Sequence, residues 1–365
     1  MKRGSNIWKT VLRLAICALL LAWAFDSIFR KEGRIAAEKG GLNWESLPWL
    51  EQSRAAWRHG PPVLSRSLGR IPAGYLFGSF GLVGLTVLLG AVRWQMVMRV
   101  QGIHLPPART AKISLVAQFF NSFLLGSTGG DLLKAYYAAR ETHHRKTEAV
   151  TSVFVDRLIS LRTMLIFACL MMLPNLALLR EHERLAAVAG AVVLMMLGCV
   201  TVLGLAFWGG LSNLWPGARV FLRKLPKGEH LERSLDACRQ FGRDRLFLLK
   251  AFLLSMLVNL IVVLQGAVLC AGLNATVSFT ALLVIVPIII CLAALPITPS
   301  GLGVRENLFV LMLAVPEINV EPATALSLSL LTFAGGLVWS LVGGFVYIVL
   351  RDREHLAEVT REPMN

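Results

Sequence analysis

The sequence predicts an all-α integral membrane protein with about six full transmembrane helices and two oppositely oriented re-entrant helical hairpins, set out as an inverted repeat. Three observations predict it. Long apolar runs recur through 365 residues that are 55% hydrophobic and only 16% charged, with a mean hydropathy of +0.63. Lys and Arg gather in a few loops. Two apolar regions are broken by glycine-rich stretches, "GSTGGD" at Gly126–Asp131 and "TPSGLG" at Thr298–Gly303. A water-soluble domain carries about a quarter charged residues, and an apolar run of about 20 residues is long enough, as a helix, to cross the hydrocarbon layer.

Residues 1–30 are expected to form an N-terminal transmembrane anchor. The run Val11–Phe29 follows Lys2, Arg3 and Lys9, as in a signal peptide. It is long, and Phe29-Arg30-Lys31 follows in place of a small-residue cleavage site, so the anchor is expected to be retained. Residues 31–71 are expected to be an outer, periplasmic loop. Trp44, Trp49 and Trp57 there suit short amphipathic helices lying at headgroup level. This loop is basic, but it also carries Glu32, Glu38, Glu45 and Glu51, and long loops obey the charge rule weakly. Residues 72–350 are the membrane domain, with apolar segments at 72–98, 147–173, 185–209, 247–272 and 324–350 that join 10–29 as six crossings. Residues 351–365 are a cytoplasmic tail.

Orientation follows from the basic residues. Lys2, Arg3, Lys9 and Arg13 place the N-terminus inside. Arg99, Arg109 and Lys112, then Arg140, Arg145 and Lys146, mark inner loops. The loop 213–250 carries nine Lys and Arg residues, and Arg351 and Arg353 place the C-terminus inside. With these crossings set, the region 110–140 enters and leaves on the inner side. The region 277–316 begins and ends on the outer side. That is the pattern of inverted repeats built on discontinuous helices. The alternative makes Phe279–Leu295 a full span and Gly303–Val315 a short second one.

The net charge of +15 raises the question of nucleic acid. The cations cluster where membrane orientation needs them, and no aromatics interleave with a basic patch, so no nucleic-acid partner is expected. Six cysteines are scattered without a CxxC, and the histidines show no HExxH spacing. His143 and His144, beside Arg145 and Lys146, suit a wet interface. No metal or other cofactor is expected. No GxxxxGK[ST] loop is present, so no ATP site is expected.

The breaks carry the candidate site. Irregular backbone at membrane depth is tolerated only where protein or a watery cavity satisfies it. A helix starting there aims its positive end inward, where anions are favoured. Pro296 and Pro299 end one helix, Gly301 and Gly303 permit a tight turn or close approach, and Arg305 sits in the next helix's first turn. A cation there needs an anion, which is either its neighbour Glu306 or a ligand phosphate. "STGGDLLK" repeats the plan, with Gly129 and Gly130 before a helix start, Asp131 in its first turn and Lys134 one turn on. "VFVDRLISLR" puts Asp156, Arg157 and Arg162 inside an apolar span, where charges face a partner or a cavity. Arg157 with Asp131, or Arg305 with Asp156, are the pairings these positions suggest. The candidates for holding an anionic ligand are therefore Arg305, Lys134, Arg157, Gly129, Gly130, Gly301 and Gly303. Asp131, Asp156 and Glu306 are candidates for ion pairing or proton coupling. Gly74 with Gly78, and Gly343 with Gly344, suit close helix packing.

"FFNSFLLGSTGGDLLKAYYAAR", "AVTSVFVDRLISL" and "LPITPSGLGVRENLF" resemble the three signature segments of the flippase-like membrane family, which includes the membrane half of bacterial lysylphosphatidylglycerol synthases. The resemblance runs from about residue 70 to 350, in the family's order. Ser300, Leu125 and Lys134 stand where glycine, proline and arginine are common, and the loop 30–70 looks like an addition. In the synthases an aminoacyl-transferring domain follows the membrane part, whereas this chain ends about fifteen residues after its last span. The resemblance thus implies the lipid-moving part without the enzyme, in a bacterial inner membrane, with a shielded polar route for a phosphate-bearing head. The expected activity is translocation or binding of an anionic lipid, phospholipid or polyprenyl-phosphate-linked. The competing expectations are a non-transporting partner of a lipid-modifying or envelope-building complex, whose basic 213–250 loop docks that partner or simply meets anionic lipid heads, and a membrane enzyme acting on a lipid phosphate; an oligomer or an envelope enzyme is the expected protein partner. No convergent nucleophile or metal set supports the enzyme.

Overall fold

The structure is a computed structural model that describes residues 29–30, 33–34, 44, 47–69, 71–123, 129–142, 146–207, 244–295, 301 and 303–359. Every regular element among them is helical. In chain order these are α1 (Trp49–Gly69), α2 (Ala73–Val100), α3 (Pro107–Phe123), α4 (Gly129–Glu141), α5 (Lys146–Met172), the short α6 (Leu176–Glu181), α7 (Glu183–Phe207), α8 (Arg245–Gly272), α9 (Phe279–Ala293), α10 (Val304–Leu313) and α11 (Pro322–Val359). The expected anchor lies outside the described residues except for Phe29 and Arg30. So do residues 213–243 of the basic loop, His143, His144, Arg145, Leu125, Pro296, Pro299 and Ser300.

Among the described residues, three helices are long and apolar enough to cross a membrane: α2, α8, and α11 through Val349. They occupy three of the expected crossings. Helices α5 and α7, of 27 and 25 residues, occupy two more of the expected positions. The outward surface is that of a multi-pass membrane protein. On α8, Leu246, Leu249, Leu253, Leu257, Leu260 and Leu264 are all exposed at steps of three and four, while Phe247, Ala251 and Ser255 on another face are buried. A leucine stripe of this length is unfavourable in water and at home in hydrocarbon. Helix α11 runs on past the expected boundary at 350, to Val359. Its "LRDREHLAEV" end is rich in charge yet free of glycine and proline, so nothing local stops the helix.

The chain divides into two compact units. One comprises Met1–Leu82, Pro174–Ala186 and Val262–Gly336, the other Val83–Leu173, Ala187–Ile261 and Leu337–Asn365. Each contains one glycine-broken helix pair.

In the second unit, α3 and α4 form an antiparallel hairpin tied at both ends. At the break, the Gly130 N–H donates to Asn121 Oδ1 at 2.9 Å. A Cβ on Gly130 would come within 1.9 Å of the Ala117 carbonyl oxygen, so only glycine fits this approach. At the other end, Arg109 pairs with Glu141 at 2.5 Å. Helix α11 closes over the hairpin. A Cβ on Gly343 would meet the Leu115 carbonyl oxygen at 2.0 Å, Gly344 lies on Phe119, and Ser122 and Ser340 hydroxyls are 2.6 Å apart. The expected close packing at Gly343 and Gly344 is thus present. Trp94, Met98, Ile113, Val116, Tyr137 and Val153 join α2, α3, α4 and α5 in one core.

In the first unit, α9 begins at Ser278, whose hydroxyl accepts from the Ala281 N–H at 3.2 Å, and ends at Ala293. Gly301 and Gly303 both have positive φ, +70° and +85°, and α10 starts at once after Gly303. The expected turn is there. A Cβ on Gly301 would meet the Ala293 oxygen at 2.8 Å. The expectation for Gly74 needs correction: it has open space around it, and Gly78 makes only an ordinary 3.8 Å contact with Val268. Close approach of α2 to its neighbour falls instead at Gly272, where a Cβ would meet Ile71 and Tyr75 below 3 Å. Helix α1 lies within the expected outer loop and exposes Trp49, Leu50 and Trp57.

Candidate functional site

Two charged clusters stand at the two glycine-broken hairpins, one in each unit. The first is built on α2, α4, α5 and α8. Asp156, on α5, accepts from Arg93 Nε at 2.8 Å through one carboxylate oxygen and from Lys134 Nζ at 3.2 Å through the other. Arg93 Nη1 also donates to Ser255 Oγ on α8 at 3.0 Å, and that hydroxyl donates onward to the Ala251 carbonyl. The Lys134 ammonium sits 4.3 Å from the centroid of the Trp94 ring, within cation–π range. Trp94 is held in place by its indole N–H, which donates to Ser152 Oγ at 3.2 Å. All three charges are buried: Arg93 is 7% exposed, Lys134 9% and Asp156 6%. Asp131 and Arg157 form a second, more exposed ion pair between α4 and α5.

The charge count of this cluster decides how it reads. Arg93 and Lys134 are two cations on one carboxylate, and Asp131 with Arg157 is neutral. With both protonated, one positive charge is left over among the described residues. Buried ion pairs are tolerated when the charges balance, and an uncompensated buried charge costs several kcal/mol, roughly 3–5 when a partner is removed.

The second cluster lies on α10 and α11. Glu306, 2% exposed, accepts from the Gly303 N–H at 2.6 Å, from Arg305 Nη2 at 2.5 Å and from Ser329 Oγ at 3.2 Å. The bond to Gly303 is half of a capping box, since glycine has no side chain to return it. Arg305 Nε donates to Ser329 Oγ at 3.1 Å, and its guanidinium lies 4.8 Å from the Phe333 ring centroid. This cluster is neutral. Arg305 in the first turn has the anion that its position requires, and that anion is Glu306.

The candidate residues thus fall into two sets. Lys134, Arg157, Asp131 and Asp156 come together beside Gly129 and Gly130. Arg305 and Glu306 come together beside Gly301 and Gly303. The pairing of Arg157 with Asp131 is present. The pairing of Arg305 with Asp156 is not: Asp156 is taken by Arg93 and Lys134, and Arg305 by its own neighbour. Arg162 lies farther along α5 and enters neither set. The sequence reading missed Arg93. Its signal was the one that found Asp156, a charge inside an apolar segment, but Arg93 stands near Arg99 and was absorbed into the segment's basic inner end.

No curated protein matches this chain in sequence. The model of the family described as "Lysylphosphatidylglycerol synthase TM region" does match, over residues 53–344, a stretch that takes in both hairpins and both charged clusters; the chain belongs to that family.

Proposed function

We propose that this protein binds the head of an anionic lipid, a phospholipid or a polyprenyl-phosphate-linked lipid, and moves it across the bacterial inner membrane without altering it chemically. The observation that carries this reading is the convergence of two basic side chains, Arg93 and Lys134, on the one carboxylate of Asp156, which leaves a positive surplus when both are protonated. One phosphodiester would neutralise it. A guanidinium and an ammonium held on adjacent helices are the donors that phosphate takes best. The cluster stands beside the helix start at Gly129, whose dipole also favours an anion. The Glu306 cluster, already neutral, holds α10 in shape in this reading and contacts the head only secondarily. Both hairpins are read as re-entrant, opening to opposite faces, with both termini and the 213–250 loop cytoplasmic. Membership in a family named for the membrane region of a lipid synthase supports lipid as the cargo.

The test joins retention and movement. The full chain, purified from membranes, is expected to carry an anionic lipid visible by native mass spectrometry. In vesicles of phosphatidylcholine and phosphatidylglycerol it is expected to speed exchange of head-labelled phosphatidylglycerol between leaflets. Arg93→Met is expected to lose both by about tenfold, the value of one charge-assisted hydrogen bond. A well-folded chain that neither retains nor moves anionic lipid overturns the reading. A chemically altered lipid would make it an enzyme, and a stoichiometric protein companion without lipid movement would make it a partner subunit.

A further inference from the structure

We infer that Lys134 is the proton carrier of this site, taking up a proton as the anionic head arrives and releasing it as the head departs. The inference rests on the headgroup reading of the same cluster and adds the coupling that reading leaves open.

Arg93 cannot give up its proton in a protein. Asp156 accepts from both cations, and Asp131 is paired with Arg157. Protonating either carboxylate would enlarge the positive surplus, which is the wrong direction for an empty site. Lys134 is the group whose proton can leave and restore balance. Its surroundings permit this. Its ammonium makes one ion-pair bond, at 3.2 Å, to a carboxylate that Arg93 holds more closely, at 2.8 Å. Its other contact is an indole face. With Lys134 neutral, Asp156 keeps Arg93 as its counter-ion.

The charged groups around Lys134 are Arg93 on α2, Asp131 on its own helix, and Asp156 and Arg157 on α5, while α8 presents the neutral Ser255 to Arg93. In the empty state Arg93 and Asp156 cancel and the amine is neutral. In the loaded state Arg93 and the ammonium cancel Asp156 and one phosphodiester. The only bond that changes is an N–H at Lys134 Nζ, whose proton comes from water on the side where the lipid enters. An anion that moves with a proton moves as a neutral pair, so the membrane potential would not oppose it.

The test is calorimetric titration of the full chain in detergent with short-chain phosphatidylglycerol, in buffers of different ionisation heat, from about pH 5 to about pH 9, a range that begins at the values documented for buried lysines. The slope against ionisation heat gives the protons taken up. The expected result is binding with uptake approaching about one proton in the upper part of that window. Lys134→Arg, which keeps the charge and cannot release it, is expected to bind the lipid with no uptake. Binding by the unsubstituted chain without uptake at any pH overturns the proton role alone, as does undiminished uptake in Lys134→Arg. Absence of binding by the unsubstituted chain overturns the headgroup reading and this inference with it. Short-chain phosphatidylcholine and inorganic phosphate, run alongside, separate recognition of an anionic lipid from recognition of free phosphate.

Discussion

Glu306 accepts three hydrogen bonds while almost fully buried, and its three donors come from different parts of the fold. Gly303 belongs to the turn, Arg305 to the helix start and Ser329 to α11. Glu306→Gln would turn one acceptor oxygen into a donor facing other donors and leave Arg305 without its anion. The expected cost is about 3–5 kcal/mol, the range for breaking a buried pair, read as a large fall in thermal midpoint in detergent. Arg305→Lys should be milder, since an ammonium can still reach Glu306 while losing the planar bond to Ser329 and the stacking on Phe333. The opposite order would mean that Arg305 serves a ligand. Arg93 behaves differently. Arg93→Met takes away one of two bases on Asp156 and leaves Lys134 to pair with it, so its cost in stability should be smaller than that of Glu306→Gln while lipid retention falls. At this scale the sequence disclosed most charges and few of their partners. Asp156, Lys134 and Arg305 were conspicuous as ions in apolar surroundings. Which ion meets which depends on helix rotation and depth, and neighbouring residues such as Arg305 and Glu306 can satisfy each other without any distant partner.

The two helix breaks were legible because glycine and proline act on the backbone locally. Gly301 and Gly303 need positive φ, and the structure has it at both. Tight packing is not local, and the sequence misjudged it: Gly74 looked like a packing glycine and faces open space, whereas Gly130 is wedged against a carbonyl of α3. Alanine scanning should separate these classes. Gly130→Ala must displace a backbone oxygen and should open the α3–α4 hairpin, with a loss of about 2 kcal/mol or more, comparable to other overpacked sites. Gly90→Ala, in mid-helix with nothing within 4 Å, should instead raise stability by about 0.5–1 kcal/mol through helix propensity. Thermal unfolding of the two variants side by side checks both signs. The loop between α10 and α11 adds a pH-dependent tie. Glu317 meets the His182 ring at 2.6 Å, and its own backbone N–H together with His182 holds its carboxyl below the ordinary glutamate range. A carboxyl lowered in the folded state stabilises above its unfolded value and stops doing so as pH falls through the folded one. Hydrogen exchange in residues 314–321 should therefore quicken as the solution is acidified below the glutamate range, and His182→Ala should remove part of that dependence, the share of the Glu317 backbone N–H remaining.

For the molecule as a whole, the apolar runs located the long helices because hydrocarbon demands a length and a composition that few other environments do. The exposed leucines of α8 are the folded counterpart of that demand. The division into two units was not legible, since four of its five boundaries fall inside the continuous helices α2, α7, α8 and α11 and only the break at Leu173–Pro174 coincides with a turn signal. The sidedness of the chain rests on the distribution of Lys and Arg, and it is open to direct test. Acidic residues count little in that rule and long loops escape it, so 31–70 is assigned to the outside in spite of its arginines. The weight falls on the 213–250 loop, whose nine cations would each have to be carried across if the chain were inverted. Single cysteines introduced as Ser67→Cys and Ser212→Cys, in a chain stripped of its six native cysteines, should react with a membrane-impermeant thiol reagent from opposite sides. Ser67 should label in intact cells once the outer envelope is permeable, and Ser212 only after the inner membrane is opened. The same experiment bears on the hairpins. If both termini and the 213–250 loop are inside, the crossings between them are even in number, and α3–α4 and α9–α10 each begin and end on one face. Labelling of both positions from one side would break that count, and with it the opposed orientation of the two hairpins on which a lipid route through the protein depends.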